Sequence, residues 1–185
     1  MAGDLLAKLV RDLLPSEPPN KGLRFASVSI IVRNRQRPSV LLIRRSEHAG
    51  DPWSGQVAFP GGKMQAGDRT ARDTAVRETL EEVGIDLARS AEFLGYGEVM
   101  TTHTGTMDVV PSVFELKDSI EVKPNGEVAS YSWVELQEIL SSSAKTTFDL
   151  STPGGVVGMP AYIVRDYVVW GLTYRILNRF LEDKG

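Results

Sequence analysis

The sequence predicts an α/β domain in which a mixed β-sheet is sandwiched between α-helices (α/β/α). Three observations predict this fold class: apolar stretches of strand length recur along the chain, a helix with an acidic face lies near its middle, and an amphipathic helix closes it. With 185 residues, the chain is long enough for one domain with a substantial core.

The N-terminal region is predicted to be a helix followed by a linker. Residues 4–14 carry apolar side chains at helical spacing, and residues 15–22 are rich in proline. We therefore divide the chain into an N-terminal helix and linker, residues 1–22, and a main domain, residues 23–185. The helix is expected to pack on the main domain, and a dimer contact is the alternative.

The main domain begins with two predicted strands, residues 25–32 and 39–44, paired across a turn at residues 34–38. The remaining predicted elements are strands at residues 93–100, 109–116 and 128–133, a short helix at 135–140, a small hairpin of 162–164 and 167–170, and a closing helix at 172–181. The closing helix is expected to bury Leu172, Ile176, Leu177 and Phe180.

Between these strands, residues 56–84 combine a glycine turn with a capped helix. A short apolar strand at residues 56–59 leads into Pro60-Gly61-Gly62, which predicts a tight turn whose backbone can approach a ligand closely. Thr70 and Asp73 form a variant capping box, and Gly84 is a C-terminal stop.

The helix carries three glutamates on one face. At 100° per residue, Glu78, Glu81 and Glu82 fall within an arc of roughly 100°. Arg77, which directly precedes Glu78, is the positively charged side chain near these glutamates. The apolar residues of the helix lie on the opposite side and are Val76, Leu80 and Val83.

Crowded carboxylates call for a compensating cation. Two carboxylates about 4 Å apart repel by roughly 1 kcal/mol in water and roughly 4 kcal/mol at the effective dielectric of a protein surface. Mg²⁺ takes oxygen ligands and is usually held by one or two carboxylates together with substrate phosphates. An exposed glutamate-rich helix end is the alternative for the helix alone, and the glycine turn in front of it favours a metal site.

Composition excludes several other classes of protein. A net charge of −3 and a pI near 5.5 argue against a general nucleic-acid binder. The absence of cysteine excludes disulfides, thiolate metal sites and thiol nucleophiles. No apolar run reaches the roughly 18 residues of a membrane span, and acids at Asp4 and Asp12 interrupt any signal peptide, so we expect a soluble cytoplasmic protein that does not bind membranes.

The helix and its glycines resemble the box of the Nudix hydrolases, G-x5-E-x7-R-E-U-x-E-E-x-G-U, with U a bulky apolar residue. The second half matches at Arg77-Glu78, Glu81-Glu82 and Gly84-Ile85, with Thr79 in place of a bulky apolar residue. The first half departs from the box, because fourteen residues rather than thirteen separate Gly62 from Arg77, and Asp68 replaces the first glutamate.

In this departure the chain resembles the coenzyme A pyrophosphatase branch of the family. That branch has the same one-residue extension, with an aspartate in place of the first glutamate. Residues 41–46 and 55–62 also resemble that branch's LLTxRSxxxRxxxGxxxFPGG stretch, although Ile43 replaces the threonine and no arginine lies between Ser46 and Gly55. Residues 169–173 are similar to the tail of the same branch.

The resemblance implies a Nudix fold and Mg²⁺-dependent hydrolysis of a diphosphate bond in a nucleotide-derived small molecule, with Mn²⁺ as a possible substitute. The most specific expectation is coenzyme A or an acyl-CoA, giving 3′,5′-ADP and (acyl-)4′-phosphopantetheine. One alternative is a pyrophosphatase acting on ADP-ribose, NADH or another nucleoside diphosphate derivative. Another is a Nudix-like sensor that binds a nucleotide without cleaving it. Family members are often dimers, which implies a possible homodimer.

By the same resemblance, the expected metal ligands are Glu78, Glu81 and Glu82, and Arg77 orients them. The general base is either a box glutamate such as Glu81 or a residue outside the box, for which Glu127 is preferred over Glu98.

The expected substrate-binding residues are Gly61, Gly62 and one of Arg44 and Arg45. Only one of these arginines can point at the site, because neighbours on a strand face opposite ways. Trp53 could stack on a base.

Overall fold

The computed structural model describes residues 5–19, 24–50 and 54–182. The predicted helix start at Asp4, the end of the predicted linker and Trp53 lie outside these residues. The helices are α1 (Leu5–Val10), α2 (Ala71–Val83), α3 (Leu87–Ser90), α4 (Leu136–Leu140) and α5 (Gly171–Leu181). The strands are β1 (Arg24–Arg33), β2 (Ser39–Arg45), β3 (Val57–Ala58), β4 (Gly61–Lys63), β5 (Ala91–Tyr96), β6 (Met100–Thr101), β7 (Met107–Leu116), β8 (Val128–Glu135), β9 (Lys145–Thr152), β10 (Gly155–Val164) and β11 (Tyr167–Trp170).

The main sheet is mixed. Strand β1 runs parallel to β7, and the other paired strands of this sheet are antiparallel. Strand β8 pairs with β2, and β5 pairs with the far side of β7. The predicted fold class, a mixed sheet flanked by helices, is therefore confirmed.

The two faces of the sheet bury different helices. Ile30 and Val32 of β1 lie in one hydrophobic cluster with residues of α1, α4 and α5, whereas Ile31, on the opposite face, lies in a second cluster with residues of α2 and α3. Leu6 and Leu9 belong to the first cluster, so α1 packs on the main domain as expected. No helix within the described residues is long and apolar enough to cross a membrane.

The predicted glycine turn is wrong in one respect, because Gly61–Lys63 forms a strand. Strands β1 and β2 pair directly only at the hairpin end, where Val32 and Arg33 face Val40 and Ser39. Further along, β4 pairs with β1 and β3 pairs with β2. Gly61 and Gly62 are part of the sheet there because their backbone pairs with that of β1.

Several element boundaries also differ from the predictions. Predicted strand 93–100 is two strands, β5 and β6, with Glu98 between them. The predicted hairpin at 162–170 is part of a separate antiparallel sheet of β9, β10 and β11. Most side chains of β9 and of the first half of β10 are exposed, so no buried apolar pattern marked them as strands.

Candidate active site

Helix α2 has the predicted ends. Thr70 Oγ1 accepts from the backbone N–H of Asp73 at 3.0 Å, and the Asp73 carboxylate accepts from the N–H of Thr70 at 3.1 Å, which completes the capping box. Gly84 ends the helix in the left-handed conformation with φ of 70°.

The face of α2 that meets the sheet differs from the sequence-based expectation. The sequence predicts Leu80 on the apolar side, yet Leu80 is 49% exposed, whereas Glu82 is only 3% exposed. The small side chains of Ala71 and Ala75 allow the helix to approach the sheet closely, and both are fully buried. The acidic edge of the helix is thereby turned toward the sheet, and only Val83 of the predicted apolar side is fully buried.

Glu82 is the buried carboxylate of the site. Its Oε2 atom accepts a hydrogen bond from the backbone N–H of Gly61 at 2.9 Å. The pKa of Glu82 is raised to about 7, chiefly by burial and also by the neighbouring charges of Glu78 and Glu127, although the Gly61 N–H and Arg45 act in the opposite direction. This carboxylate therefore has a strong need for a nearby positive charge.

Glu78 lies against the second glycine of the segment. A Cβ atom on Gly62 would be 2.5 Å from both Cδ and Oε1 of Glu78, which is closer than atoms can approach. The absence of a side chain at Gly62 thus leaves room for the Glu78 carboxylate beside the backbone. Glu78 and Glu82 are one helical turn apart, so both meet the same short strand, β4.

Arg77 connects the acids of the site. Its Nε and Nη2 atoms donate to both carboxylate oxygens of Asp68, at 3.1 and 2.8 Å, and its Nη1 donates to Glu78 Oε1 at 2.8 Å and Glu81 Oε2 at 3.3 Å. Nη2 also donates to the carbonyl oxygen of Lys63 at 3.1 Å. The guanidinium lowers the pKa of Asp68 to about 2, and the same pairing raises the pKa of Arg77. The arginine is therefore held on Asp68 and reaches two of the three glutamates.

The two neighbouring arginines of β2 point to opposite faces of the sheet, as the strand geometry predicted. Arg45 Nη1 lies 4.0 Å from Glu82 Oε1 and is therefore part of the site. Arg44 instead donates to the carboxylate of Asp166 at 3.2 Å and lies over the ring of Tyr167, on the face that carries the second sheet. Of the pair, only Arg45 meets the acidic side chains.

Glu127 is brought to the site by the loop that covers the end of α2. The N–H groups of Lys123 and Asn125 donate to the carbonyl oxygens of Val83 and Glu82, at 2.8 and 2.9 Å, which satisfies the open C-terminal end of the helix. The carbonyl oxygen of Glu127 then accepts from the N–H of Ser46, just beyond Arg45, at 2.8 Å.

Glu98 lies elsewhere: its Oε2 atom accepts from Arg179 Nε of α5 at 2.6 Å. The third box glutamate, Glu81, contacts Arg77 and has a side chain that is 53% exposed. The structure therefore brings Glu127, and not Glu98, together with the box acids.

The acidic side chains fit a hard divalent cation with few protein ligands. Within residues 5–19, 24–50 and 54–182, no three acidic or histidine side chains form a group that could hold a metal ion by themselves. Glu78 and Glu82, however, present carboxylate oxygens beside a glycine backbone, and the positive charge nearest to the buried Glu82 in this part of the chain is that of Arg45, whose Nη1 lies 4.0 Å from Glu82 Oε1. Mg²⁺ bound by one or two carboxylates, with water and substrate oxygens completing its shell, matches this donor set.

Three residues that support the site were not predicted from the sequence. Asp68 departs from the box in the sequence, and only the structure shows that it anchors Arg77. Neither Ser29, whose hydroxyl group contacts α2, nor the inward position of Thr79 was predicted. The available signal was a serine in the middle of the apolar strand β1, since a buried hydroxyl group requires a partner.

Comparisons with known proteins identify relatives of this chain. The model of the NUDIX domain family matches residues 23–153. The uncharacterised Nudix hydrolase NudL of Photorhabdus laumondii is 33% identical over 175 residues, which cover 90% of each chain.

Solved structures show the same fold. A MutT/nudix family protein from Enterococcus faecalis superposes with a TM-score of 0.56 at 18% identity, over 89% of this chain and 63% of the other. The NUDIX domain of Shewanella oneidensis NrtR, solved with ADP ribose, superposes with a TM-score of 0.50 at 21% identity, over 65% of this chain and 78% of the other. Because the family model spans well over half of the chain and NudL is similar along nearly all of it, the chain belongs to the Nudix hydrolases and is an enzyme of that family.

Proposed function

We propose that this Nudix hydrolase uses Mg²⁺ to cleave the diphosphate (P–O–P) bond of a nucleotide-derived substrate, and that coenzyme A or an acyl-CoA is its preferred substrate. The products are then 3′,5′-ADP and (acyl-)4′-phosphopantetheine. The observation that carries the proposal is the position of two carboxylates, Glu78 and Glu82, against the backbone of Gly61 and Gly62.

In the proposed reaction, water attacks one phosphorus atom of the diphosphate. A new P–O bond forms while the bridging P–O bond breaks, and the leaving phosphate keeps the electron pair of the broken bond. When bound, Mg²⁺ supplies charge neutralisation at the phosphoryl oxygens. Glu78 and Glu82 would hold the ion, with Glu81 as a third ligand or as the general base.

The other residues of the site position the acids and the reactants. Arg77, fixed on Asp68, keeps the Glu78 and Glu81 carboxylates in place through charge-assisted hydrogen bonds. Glu127 accepts the proton of the attacking water if Glu81 serves as a ligand. Arg45, beside Glu82, contacts a phosphoryl oxygen of the substrate.

The choice of coenzyme A rests on the sequence. Asp68, together with the additional residue between Gly62 and Arg77, and the stretch ahead of the box resemble the coenzyme A branch. ADP-ribose is the second candidate, because the NUDIX domain of NrtR, which shares the fold, was solved with it. A non-catalytic sensor is disfavoured, since Glu78, Glu81 and Glu82 are all retained.

A substrate panel tests the reaction. The purified protein is incubated with Mg²⁺ and, separately, with coenzyme A, acetyl-CoA, ADP-ribose and NADH, and the products are identified by mass spectrometry. Formation of 3′,5′-ADP from coenzyme A is the expected result. Cleavage of ADP-ribose without cleavage of coenzyme A would overturn the choice of substrate, and no cleavage of any diphosphate would overturn the function.

Glu82→Gln tests the role of the buried carboxylate. We expect turnover of the best substrate to fall by about a hundredfold or more, because the amide cannot ligate the ion as a carboxylate does. The folded state should remain stable at pH 7, since glutamine keeps an oxygen acceptor for Gly61 and avoids burying a charge. Turnover is measured by initial rates and stability by thermal unfolding.

The matched control is Glu92→Gln, which makes the same chemical change at an exposed position of β5. It should leave both turnover and stability unchanged. Unchanged turnover in Glu82→Gln as well would exclude a role for Glu82 in metal binding.

A further inference from the structure

Two buried hydroxyl groups join α2 to β1 next to the acidic side chains. Thr79 Oγ1 donates to Ser29 Oγ at 2.7 Å, and Ser29 Oγ donates to the carbonyl oxygen of Ala75 at 3.1 Å. Both side chains are fully buried. Because a buried hydroxyl group costs free energy unless it is hydrogen-bonded, this pair favours one rotation of the helix on the strand.

Ser29 also holds the segment that contains Gly61. Its backbone N–H donates to the carbonyl oxygen of Pro60 at 2.7 Å, and the N–H of the next residue, Gly61, donates to Glu82 Oε2 at 2.9 Å. Thr79 precedes Glu82 by three residues on the same helix. These hydrogen bonds therefore form a closed ring. Ser29 is bonded both to the segment that contains Gly61 and to the helix that carries Glu82, so it sets the positions of Gly61 and Glu82 relative to each other.

The ring depends on a hydroxyl group at position 79. The Nudix box places a bulky apolar residue there, which could fill space but could not donate a hydrogen bond. Hydrogen bonds are directional, whereas apolar packing tolerates small rotations. A threonine at this inward position therefore specifies the helix rotation more narrowly than an apolar residue would.

We propose that Ser29 and Thr79 are positioning residues, whose hydroxyl pair fixes the rotation of α2 so that Glu82 reaches Gly61 and is presented, with Glu78, to the divalent ion. The presentation of Glu82 and Glu78 to the ion rests on the proposed function. The placement of Glu82 against Gly61 does not depend on that function.

Thr79→Val tests the pair, because valine has nearly the same shape and lacks the hydroxyl group. Hydrogen exchange of the Gly61 amide is measured by NMR in the metal-free protein, and Mn²⁺ binding is measured by electron paramagnetic resonance. We expect Gly61 to exchange about tenfold faster and the affinity for Mn²⁺ to fall about tenfold. Thr79→Ser, which restores the hydroxyl group, should restore both values.

Ser112→Ala is the matched control. The Ser112 hydroxyl is equally buried and lies 3.0 Å from Ser27 Oγ, so the variant also removes a bond between two hydroxyl groups, but within the sheet. It should lower the melting temperature while leaving Gly61 exchange and Mn²⁺ affinity unchanged. Equal changes in Thr79→Val and Ser112→Ala would overturn the positioning role and reduce the pair to a contribution to stability.

A double variant tests the pair from the strand side. Ser29→Ala combined with Thr79→Val should weaken Mn²⁺ binding no more than the stronger single variant, because the same contact is lost only once. Losses that add would overturn the coupling. If the wild-type protein binds no Mn²⁺, the proposed metal chemistry fails, whereas the exchange of Gly61 still decides the positioning role.

Discussion

Gly62 shows how the absence of one side chain shapes this site. A Cβ atom there would overlap the Glu78 carboxylate, although the backbone of Gly62 is in a conformation that other residues adopt. We therefore expect Gly62→Ala to displace Glu78 without straining the backbone, and to lower kcat/KM for the diphosphate substrate by about tenfold or more. Initial rates at several substrate concentrations measure the effect.

Gly67→Ala is the control for this variant, because a Cβ atom at Gly67 meets no heavy atom within 4 Å. It should keep wild-type kcat/KM. If Gly62→Ala keeps it too, the position of Glu78 beside β4 has no role in turnover.

Asp68 stabilises the fold through its ion pair with Arg77. Its side chain is only 6% exposed and it accepts both hydrogen bonds of the Arg77 fork, which is the main reason that its pKa falls to about 2. An unfolded aspartate has a pKa of about 3.9, so ionised Asp68 stabilises the fold by about 2 kcal/mol. This contribution is fully present above about pH 4 and is lost as the pH falls toward 2.

Asp68→Asn should therefore lower the free energy of unfolding by about 2 kcal/mol at pH 7, or more if Arg77 is left without its partner. The difference from the wild type should shrink between pH 4 and pH 2, where the wild-type carboxyl takes up a proton. Urea unfolding at pH 7, 4 and 2.5 measures it. A difference that stays constant across these pH values would show that the ionisation of Asp68 does not stabilise the fold.

At the scale of elements, local signals predicted where α2 begins and ends, but not which way it faces. The caps at Thr70 and Gly84 depend on neighbouring residues alone. The orientation depends on what the sheet offers, namely the glycines of β4 for two carboxylates and the hydroxyl group of Ser29 for Thr79. A rule that buries the apolar side of a helix cannot anticipate such polar partners.

For the strands too, local signals in the sequence predicted some features, whereas others depend on the rest of the fold. The pairing of β1 with β2 was predictable from a short turn between two apolar runs. The insertion of β3 and β4 where these strands separate was not predictable, because it depends on how far the two strands diverge. Hairpin β9–β10 was missed since its side chains are mostly exposed and carry no strong period.

The orientation of α2 can be tested with two truncations on the same helix. Val83 is fully buried, so Val83→Ala should lower the free energy of unfolding by about 2 kcal/mol. Leu80 is half exposed, so Leu80→Ala should cost less than about 1 kcal/mol although it removes a larger group. Urea unfolding measures both, and a larger loss for Leu80→Ala would restore the orientation that the sequence suggested.

In the whole molecule, the two faces of the sheet have separate roles. The face under α2 carries the acids and Arg45, whereas the opposite face carries α1, α4, α5 and the second sheet in one large cluster. The N-terminal segment also contacts the helix of the site, because Glu17 Oε1 accepts from the backbone N–H of Ala71 at 2.6 Å. Residues before the predicted boundary at position 22 are thus part of what stabilises the main domain.

Leu6→Ala tests this separation of stability from activity. Leu6 is 1% exposed within the cluster on the face away from the site, so its truncation should lower the free energy of unfolding by about 3 kcal/mol. At temperatures where the variant remains folded, kcat and the affinity for Mn²⁺ should equal those of the wild type, because the cluster that contains Leu6 includes no residue of α2 or β4. Leu14→Ala is the control, because Leu14 is 44% exposed. It should leave the free energy of unfolding, kcat and the affinity for Mn²⁺ unchanged. A loss of kcat in folded Leu6→Ala would mean that the two faces of the sheet are coupled, either through the strands between them or through the N-terminal segment, whose Glu17 contacts α2.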